Sequence, residues 1–321
     1  LLLPHAGYRY SGSTAAAAVR HVAGEVRWRR VVLLGPSHRL ALTNRASVPD
    51  VTHIGTPLGE VPLDLAAIAR LRESPLFVSR PAAHAEEHSV QIELPLLQAA
   101  LGAFHAVPVV VGQLDRDTIA RMAAVLADLV DEHTLLVASS DFTHYGPRFG
   151  YTPFTENVPE NLRRLDAEVF APVRAGDPDA FLDAVERTGA TVCGRYAIAL
   201  WLRLLPPAAR VEQVRYATSG GMTGDWRNSV SYLSAVAAAP EEGASTHLPE
   251  AARRQLLCLA RASIAHGLEH GAPISLEDWG EDVPPALREH AGAFVSLHRD
   301  GRLRGCIGEI LPRRPLVRAV A

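Results

Sequence analysis

Four short stretches of the chain set side chains of metal-ligand type directly behind apolar runs. They are Leu-Leu-Leu-Pro-His5, Val-Val-Leu-Leu-Gly-Pro-Ser-His38, Leu-Leu-Val-Ala-Ser-Ser-Asp141-Phe-Thr-His144 and Ala-Thr-Val-Cys193-Gly-Arg. The first three runs are short, continuously apolar and rich in Leu and Val, as strands buried on both faces are. A residue just past such a strand lies at its carboxyl end, the edge where open α/β sheets bind ligands. Three strands would thus deliver His5, His38 and the Asp141/His144 pair to one crevice. Imidazole, carboxylate and thiolate together are the ingredients of a transition-metal site.

Each residue also has an ordinary reading. A His after a strand is commonly a loop residue with a satisfied hydrogen bond, and this applies to His5 and His38 singly. Cys193 alone would be a small buried side chain. It stands at the start of a helix predicted over Arg195–Leu205, a position that favours thiolate. Asp141 could cap a turn, or orient His144 or another ligand while His144 moves protons as acid or base. Glu87-His88-Ser89 opens a helix that Glu87 or Ser89 would cap, and His88 joins the catalytic candidates if it points into the crevice. Cys258, inside Leu-Leu-Cys-Leu-Ala, reads as core. Arg304-Gly305-Cys306 reads as a strand whose Gly allows close packing, with Cys306 a weaker functional candidate. Ser219-Gly-Gly-Met-Thr-Gly reads as a flexible loop outside the strand–GxGxxG–helix context of a dinucleotide site.

The elements that must position these residues alternate through 1–238. Strands are predicted at Leu1–Leu3, Val31–Gly35, Val107–Gly112, Leu135–Ser139, Arg210–Ala217 and Val230–Ala237. Helices are predicted at Thr14–Ala23, Leu63–Arg72, His88–Leu101, Arg116–Val130, Asn161–Ala175 and Arg195–Leu205. Such alternation predicts an α/β domain with helices packed on a mostly parallel sheet. Residues 239–250 carry Pro, Gly, Ser and charge without periodicity and read as a linker. Residues 251–321 read as a second domain. It opens with an amphipathic helix over Ala251–His266, whose face carries Leu256, Leu257, Leu259, Ala260 and Ile264. A hairpin follows, turning at Asp300-Gly301. The chain opens without Met in a strand-like run and ends in a helix-like one, so further residues are expected beyond both ends.

Length and composition narrow the classes. A chain of 321 residues suggests two domains, and 48% hydrophobic residues suffice for a core. No run of 18 apolar residues predicts a membrane span. A net charge of −3 gives no electrostatic reason to expect nucleic acid. All 32 basic residues are Arg. The absence of Lys excludes Schiff-base lysine chemistry and a Walker-type phosphate loop. Three widely spaced Cys form no disulfide framework, so a reducing cytoplasm is expected.

The motifs Pro-His5-Ala-Gly-Tyr, Gly-Pro-Ser-His38, Thr56-Pro-Leu-Gly-Glu-Val, Glu87-His88-Ser89, Ser-Ser-Asp141-Phe-Thr-His144-Tyr-Gly and Cys193-Gly-Arg resemble the MEMO family in order and spacing. Residues 251–321 resemble the start of the AMMECR1 family through Phe294-Val-Ser-Leu and Leu303-Arg-Gly-Cys306-Ile-Gly. The whole resembles fused proteins of a bacterial and archaeal three-part system that includes a radical-SAM enzyme, which is thereby an implied partner. The resemblance implies the fold of class III extradiol dioxygenases, and a partial α+β AMMECR1-like domain behind it. It implies His5, His38 and Cys193 as metal ligands, with Asp141 and His144 in the same pocket. The dioxygenases use two His and a carboxylate, so Cys193 is a departure, and ring opening does not follow from the resemblance. The resulting expectation is a dioxygenase-like oxidoreductase acting on an unknown small molecule, with Fe(II), or Zn or Cu, as its metal. The alternatives are a non-catalytic metal-binding or protein-interaction scaffold, and a metal-free hydrolase with Cys193 as nucleophile and His144/Asp141 as base and orienter.

Overall fold

The computed structural model describes residues 1–24, 28–238, 248–280, 282–299, 302–309 and 312–321. The chain divides into two units, Leu1–Ala237 and Ala238–Ala321.

The strands of the first unit are β1 (Leu2–Leu3), β2 (Arg30–Pro36), β3 (Ala46–Val48), β4 (His53–Thr56), β5 (Gly59–Pro62), β6 (Phe77–Ser79), β7 (His105–Val111), β8 (Thr134–Ser139), β9 (His144–Tyr145), β10 (Arg210–Thr218) and β11 (Ser229–Ala238). Nine of them form one sheet in the order β10-β11-β1-β8-β2-β7-β3-β6, with β9 paired to β11. The centre, β1-β8-β2-β7, is parallel throughout. β11 and β3 flank it antiparallel, while β4 and β5 make a separate hairpin. The predicted mostly parallel sheet is present. Val31–Leu34 are wholly buried, as expected of a continuously apolar run with both faces covered.

The helices are α1 (Tyr8–Val19), α2 (Leu65–Arg72), α3 (His88–Gln91), α4 (Glu93–Leu101), α5 (Arg116–Ala127), α6 (Val158–Ala175), α7 (Pro178–Thr188), α8 (Arg195–Leu204) and α9 (Ser219–Thr223). The helix predicted over His88–Leu101 is two. Pro95 has no N–H to return to the carbonyl of Gln91, and the break falls there. α1 starts six residues before the predicted Thr14; Tyr8–Ser13 lacks an apolar period and contains Gly12, so the sequence carries no helical signal there. The Ser219–Gly224 stretch is not a loop but the short helix α9, which the Thr218 hydroxyl caps at Gly221 N–H.

In the second unit, α10 (Glu250–His270), α11 (Leu276–Trp279) and α12 (Pro285–Arg288) precede the hairpin of β12 (Ala293–Arg299) and β13 (Arg302–Glu309), and α13 (Leu316–Val320) follows. Its small core gathers Ala252, Leu259, Leu287, Leu316 and Val317. Cys258 is exposed rather than core, and so is Leu257. The buried face of α10 runs through 252, 259, 260 and 263, and 258 lies about 100° round the helix from 259. The close packing assigned to Gly305 belongs to Gly308, where a Cβ would stand 2.1 Å from the Ala293 carbonyl. Residues 239–247 of the expected linker and the Asp300-Gly301 turn lie outside the described residues.

Candidate metal centre

His5 follows β1, His38 follows β2, and Cys193 precedes α8. One ligand atom of each lies within 4.8 Å of the others. The Cys193 Sγ stands 3.2 Å from His5 Nε2. Ligands of a tetrahedral ion with bonds near 2.0 and 2.3 Å would sit ~3.5 Å apart, so the pair already has nearly that spacing. His5 is 1% exposed. Burial and the neighbouring imidazoles hold its pKa well below 6.5, which keeps the ring neutral and able to donate a lone pair.

Each imidazole is oriented from behind. The Ser139 hydroxyl donates to Glu93 Oε1 at 3.1 Å, so its oxygen accepts the His5 Nδ1–H at 2.8 Å. That tautomer turns the His5 Nε2 lone pair toward Cys193. Burial pushes the Glu93 carboxyl well above its ordinary range, and the neutral acid still accepts through Oε1. Behind His38 stands Glu87, whose side chain is fully buried. Its Oε1 accepts from His38 Nδ1 at 2.8 Å and from Ser89 N–H at 3.1 Å, and its Oε2 accepts from His38 N–H at 2.6 Å. These bonds outweigh burial and hold the Glu87 carboxyl at about 2. Glu87 thus caps α3, as the sequence suggested, and also fixes His38, which it did not. The partner is 49 residues away, and no local signal reports it.

His88 is in the cluster. Its ring stacks on His38 at 4.8 Å and meets His5 edge-on at 5.4 Å. His38, Glu87 and His88 form a second group of donors within 4.8 Å of one another, so His88 is as close to ligand position as to a catalytic one.

Asp141 does not orient His144. Its Oδ1 accepts the backbone N–H groups of His5 and Ala6, at 2.9 and 3.3 Å, and so fixes the turn that carries the first imidazole. Burial pushes the Asp141 carboxyl up to about 7. His144 is held through its backbone, where Thr191 Oγ1 accepts its N–H and donates to its carbonyl, both at 2.8 Å. Its Nε2 is buried without a hydrogen-bond partner among the described residues, and burial lowers its pKa to about 4. Cys193 departs from expectation as well. The start of α8 does not produce a thiolate, since burial and then Asp141 push the thiol up to about 12. Gly194 permits its placement, because a Cβ there would stand 2.5 Å from Ser140 Cβ and 2.6 Å from the Ser139 carbonyl.

The first unit is thus a predominantly parallel α/β domain in which two imidazoles behind strands and a thiol before α8 converge on one cluster that could hold a metal ion. Residues 1–236 match the profile of Memo-like proteins, and residues 257–321 match that of AMMECR1. A MEMO1 family protein of Methanopyrus kandleri is 32% identical over 243 residues, 74% of this chain and 82% of its own. One of Thermoplasma acidophilum is 33% identical over 242 residues, covering 74% and 85%. The memo-1 homolog of Caenorhabditis elegans is 31% identical over 251 residues, covering 74% and 71%. The chain belongs to the Memo-like family and carries an AMMECR1 segment behind its Memo domain. No helix among the described residues is long and apolar enough to cross a membrane.

Proposed function

We propose that the first unit binds one transition-metal ion through His5 Nε2, His38 and Cys193 Sγ, and works on a small molecule as an oxidoreductase of the oxygenase type. The observation that carries this reading is the convergence of the three donors within 4.8 Å, from elements remote in sequence. The donor set fits such an ion and is too soft for Mg or Ca. Iron is the metal proposed for the cell, with Zn and Cu as competitors for the same ligands. When bound, the ion would supply Lewis acidity and electron transfer. The chain's own contribution is to keep the His5 imidazole neutral, to exclude water around it, to hold His38 through Glu87, and to offer the unpartnered Nε2 of His144 as a proton acceptor.

The metal-free hydrolase is disfavoured by contacts. Cys193 Sγ faces His5 rather than His144, and Asp141 is engaged with backbone N–H groups rather than with an imidazole.

The test is metal content after anaerobic purification, with oxygen consumption in the presence of candidate substrates. His5→Ala and His38→Ala should lose the metal. Cys193→Ser should weaken soft ions more than hard ones. His144→Ala should keep the metal and lose turnover by about 100- to 10,000-fold, the usual contribution of a positioned acid or base. Stoichiometric metal in the His5/His38 double variant would place the site elsewhere.

A further inference from the structure

A cavity of about 430 Å³ opens beside the cluster, and His38 and Cys193 stand on its wall. It lies between the segment after β2, the end of β7 and the start of α8, and its volume is that of a small-molecule site. Two features set the chemistry of its occupant. Leu40, Leu42, Val111 and Val192 give it an apolar side, while Arg39 and Arg195 bring two guanidinium groups and, among the described residues, no Asp or Glu lines it. The Arg195 guanidinium lies 4.9 Å from the Tyr196 ring centroid. Arg39 Nε reaches only the Glu86 carbonyl, at 3.4 Å. Among the described residues neither arginine has an ion pair, whereas Arg30, Arg70, Arg116 and Arg187 each do. Two uncompensated cations on a concave wall attract an anion, and a guanidinium matches a carboxylate or phosphate by two parallel N–H donors.

We propose that this cavity binds a small organic oxyanion, an apolar body bearing a carboxylate or phosphate, with Arg195 and Arg39 on the oxyanion and the body toward the His38–Cys193 edge. The inference deepens the reading of that edge as a metal centre and rests on it for the direction of the reacting end.

The test is calorimetric titration of the full chain, metal-free and zinc-loaded, with benzoate, phenyl phosphate and benzyl alcohol. Benzoate and phenyl phosphate should bind saturably, and the tighter of the two identifies the oxyanion. Benzyl alcohol should bind at least about tenfold more weakly, because it lacks the charge. Arg195→Gln should weaken the anions by about ten- to a hundredfold, with Arg195→Lys in between and Arg39→Gln weaker than wild type. Thermal unfolding and zinc uptake on the same samples report that each variant is folded. Equal affinity for alcohol and benzoate, no saturable binding, or an unchanged affinity in the Arg39/Arg195 double variant would overturn the proposal. Arg195-dependent benzoate binding by a wild type that takes up no zinc would leave the anion site standing and remove the metal reading. Zinc uptake without anion binding would do the reverse.

Discussion

Replacing Glu87 with Gln tests whether His38 is a ligand aimed from behind. Glu87 gathers three N–H donors on two oxygens, with two of the donors from His38 itself. A glutamine amide has one acceptor oxygen. If that oxygen serves His38 Nδ1 and Ser89 N–H, the amide NH2 confronts the His38 N–H, which Glu87 Oε2 now accepts at 2.6 Å. The reverse flip confronts the other two donors. At least one buried donor is left unsatisfied either way, at a cost of about 1–3 kcal/mol, and the charge that strengthened the remaining bonds is gone. The Glu87→Gln variant should therefore unfold in urea with a free energy about 2 kcal/mol lower, without metal. The same loss loosens His38, and a lost partner of a ligating imidazole typically costs about 10- to 100-fold in metal affinity. Anaerobic zinc titration measures that factor. Undiminished zinc affinity in a variant that has lost the stability would mean that His38 is not a ligand. Unchanged stability and affinity together would refute the whole account of Glu87.

Further outcomes follow from neighbouring contacts. Gly194→Ala should destabilise the first unit by about 1–3 kcal/mol in chemical denaturation, because its Cβ would press on Ser140 Cβ and the Ser139 carbonyl. Without metal, Asp141 itself should subtract stability as pH rises from 3.8 to about 7, against the gain from the lowered His5 and His144, since the folded protein keeps the Asp141 proton that the unfolded chain has lost. Asp141→Asn, whose Oδ1 can still accept from His5 and Ala6, should remove that contribution, so that its stability relative to wild type rises with pH across the window; a difference independent of pH would refute the assignment.

The sheet was legible because its central strands are apolar on both faces. Val31–Leu34 and Leu135–Ala138 sit where a continuous run must, and their carboxyl ends follow from chain direction alone. The same logic marks His5 and His38 as strand-end residues. The short strands β3 and β6 and the hairpin β4–β5 were not legible. Three or four residues give no period to read, and their pairing comes from tertiary contact. The supports of the site were hidden for a related reason. Ser139 reaches His5 across 134 positions and Glu93 reaches Ser139 across 46. Asp141 was legible as a candidate from its place behind β8, but its bond to the backbone of His5 rather than to His144 depends on how two strand ends meet. Helix position alone points to the wrong protonation state for Cys193, because burial of the thiol outweighs it.

The direction of these protonation states bears on what the crevice accommodates. His5 and His144 are driven toward neutral imidazole, and Asp141 and Cys193 toward the neutral acid and thiol, with burial the largest cause for all four. A thiolate–imidazolium pair would require two of them to charge against that drive, which a metal-free nucleophile would have to overcome. A bound cation acts differently on the two kinds of group. It requires the imidazoles to stay neutral, as burial already makes them, and it lowers the pKa of a nearby thiol and carboxyl that burial raised. The four groups are compatible with the proposed ion: it would leave the two imidazoles as they are and would supply the charge that makes deprotonation of the thiol and the carboxyl favourable.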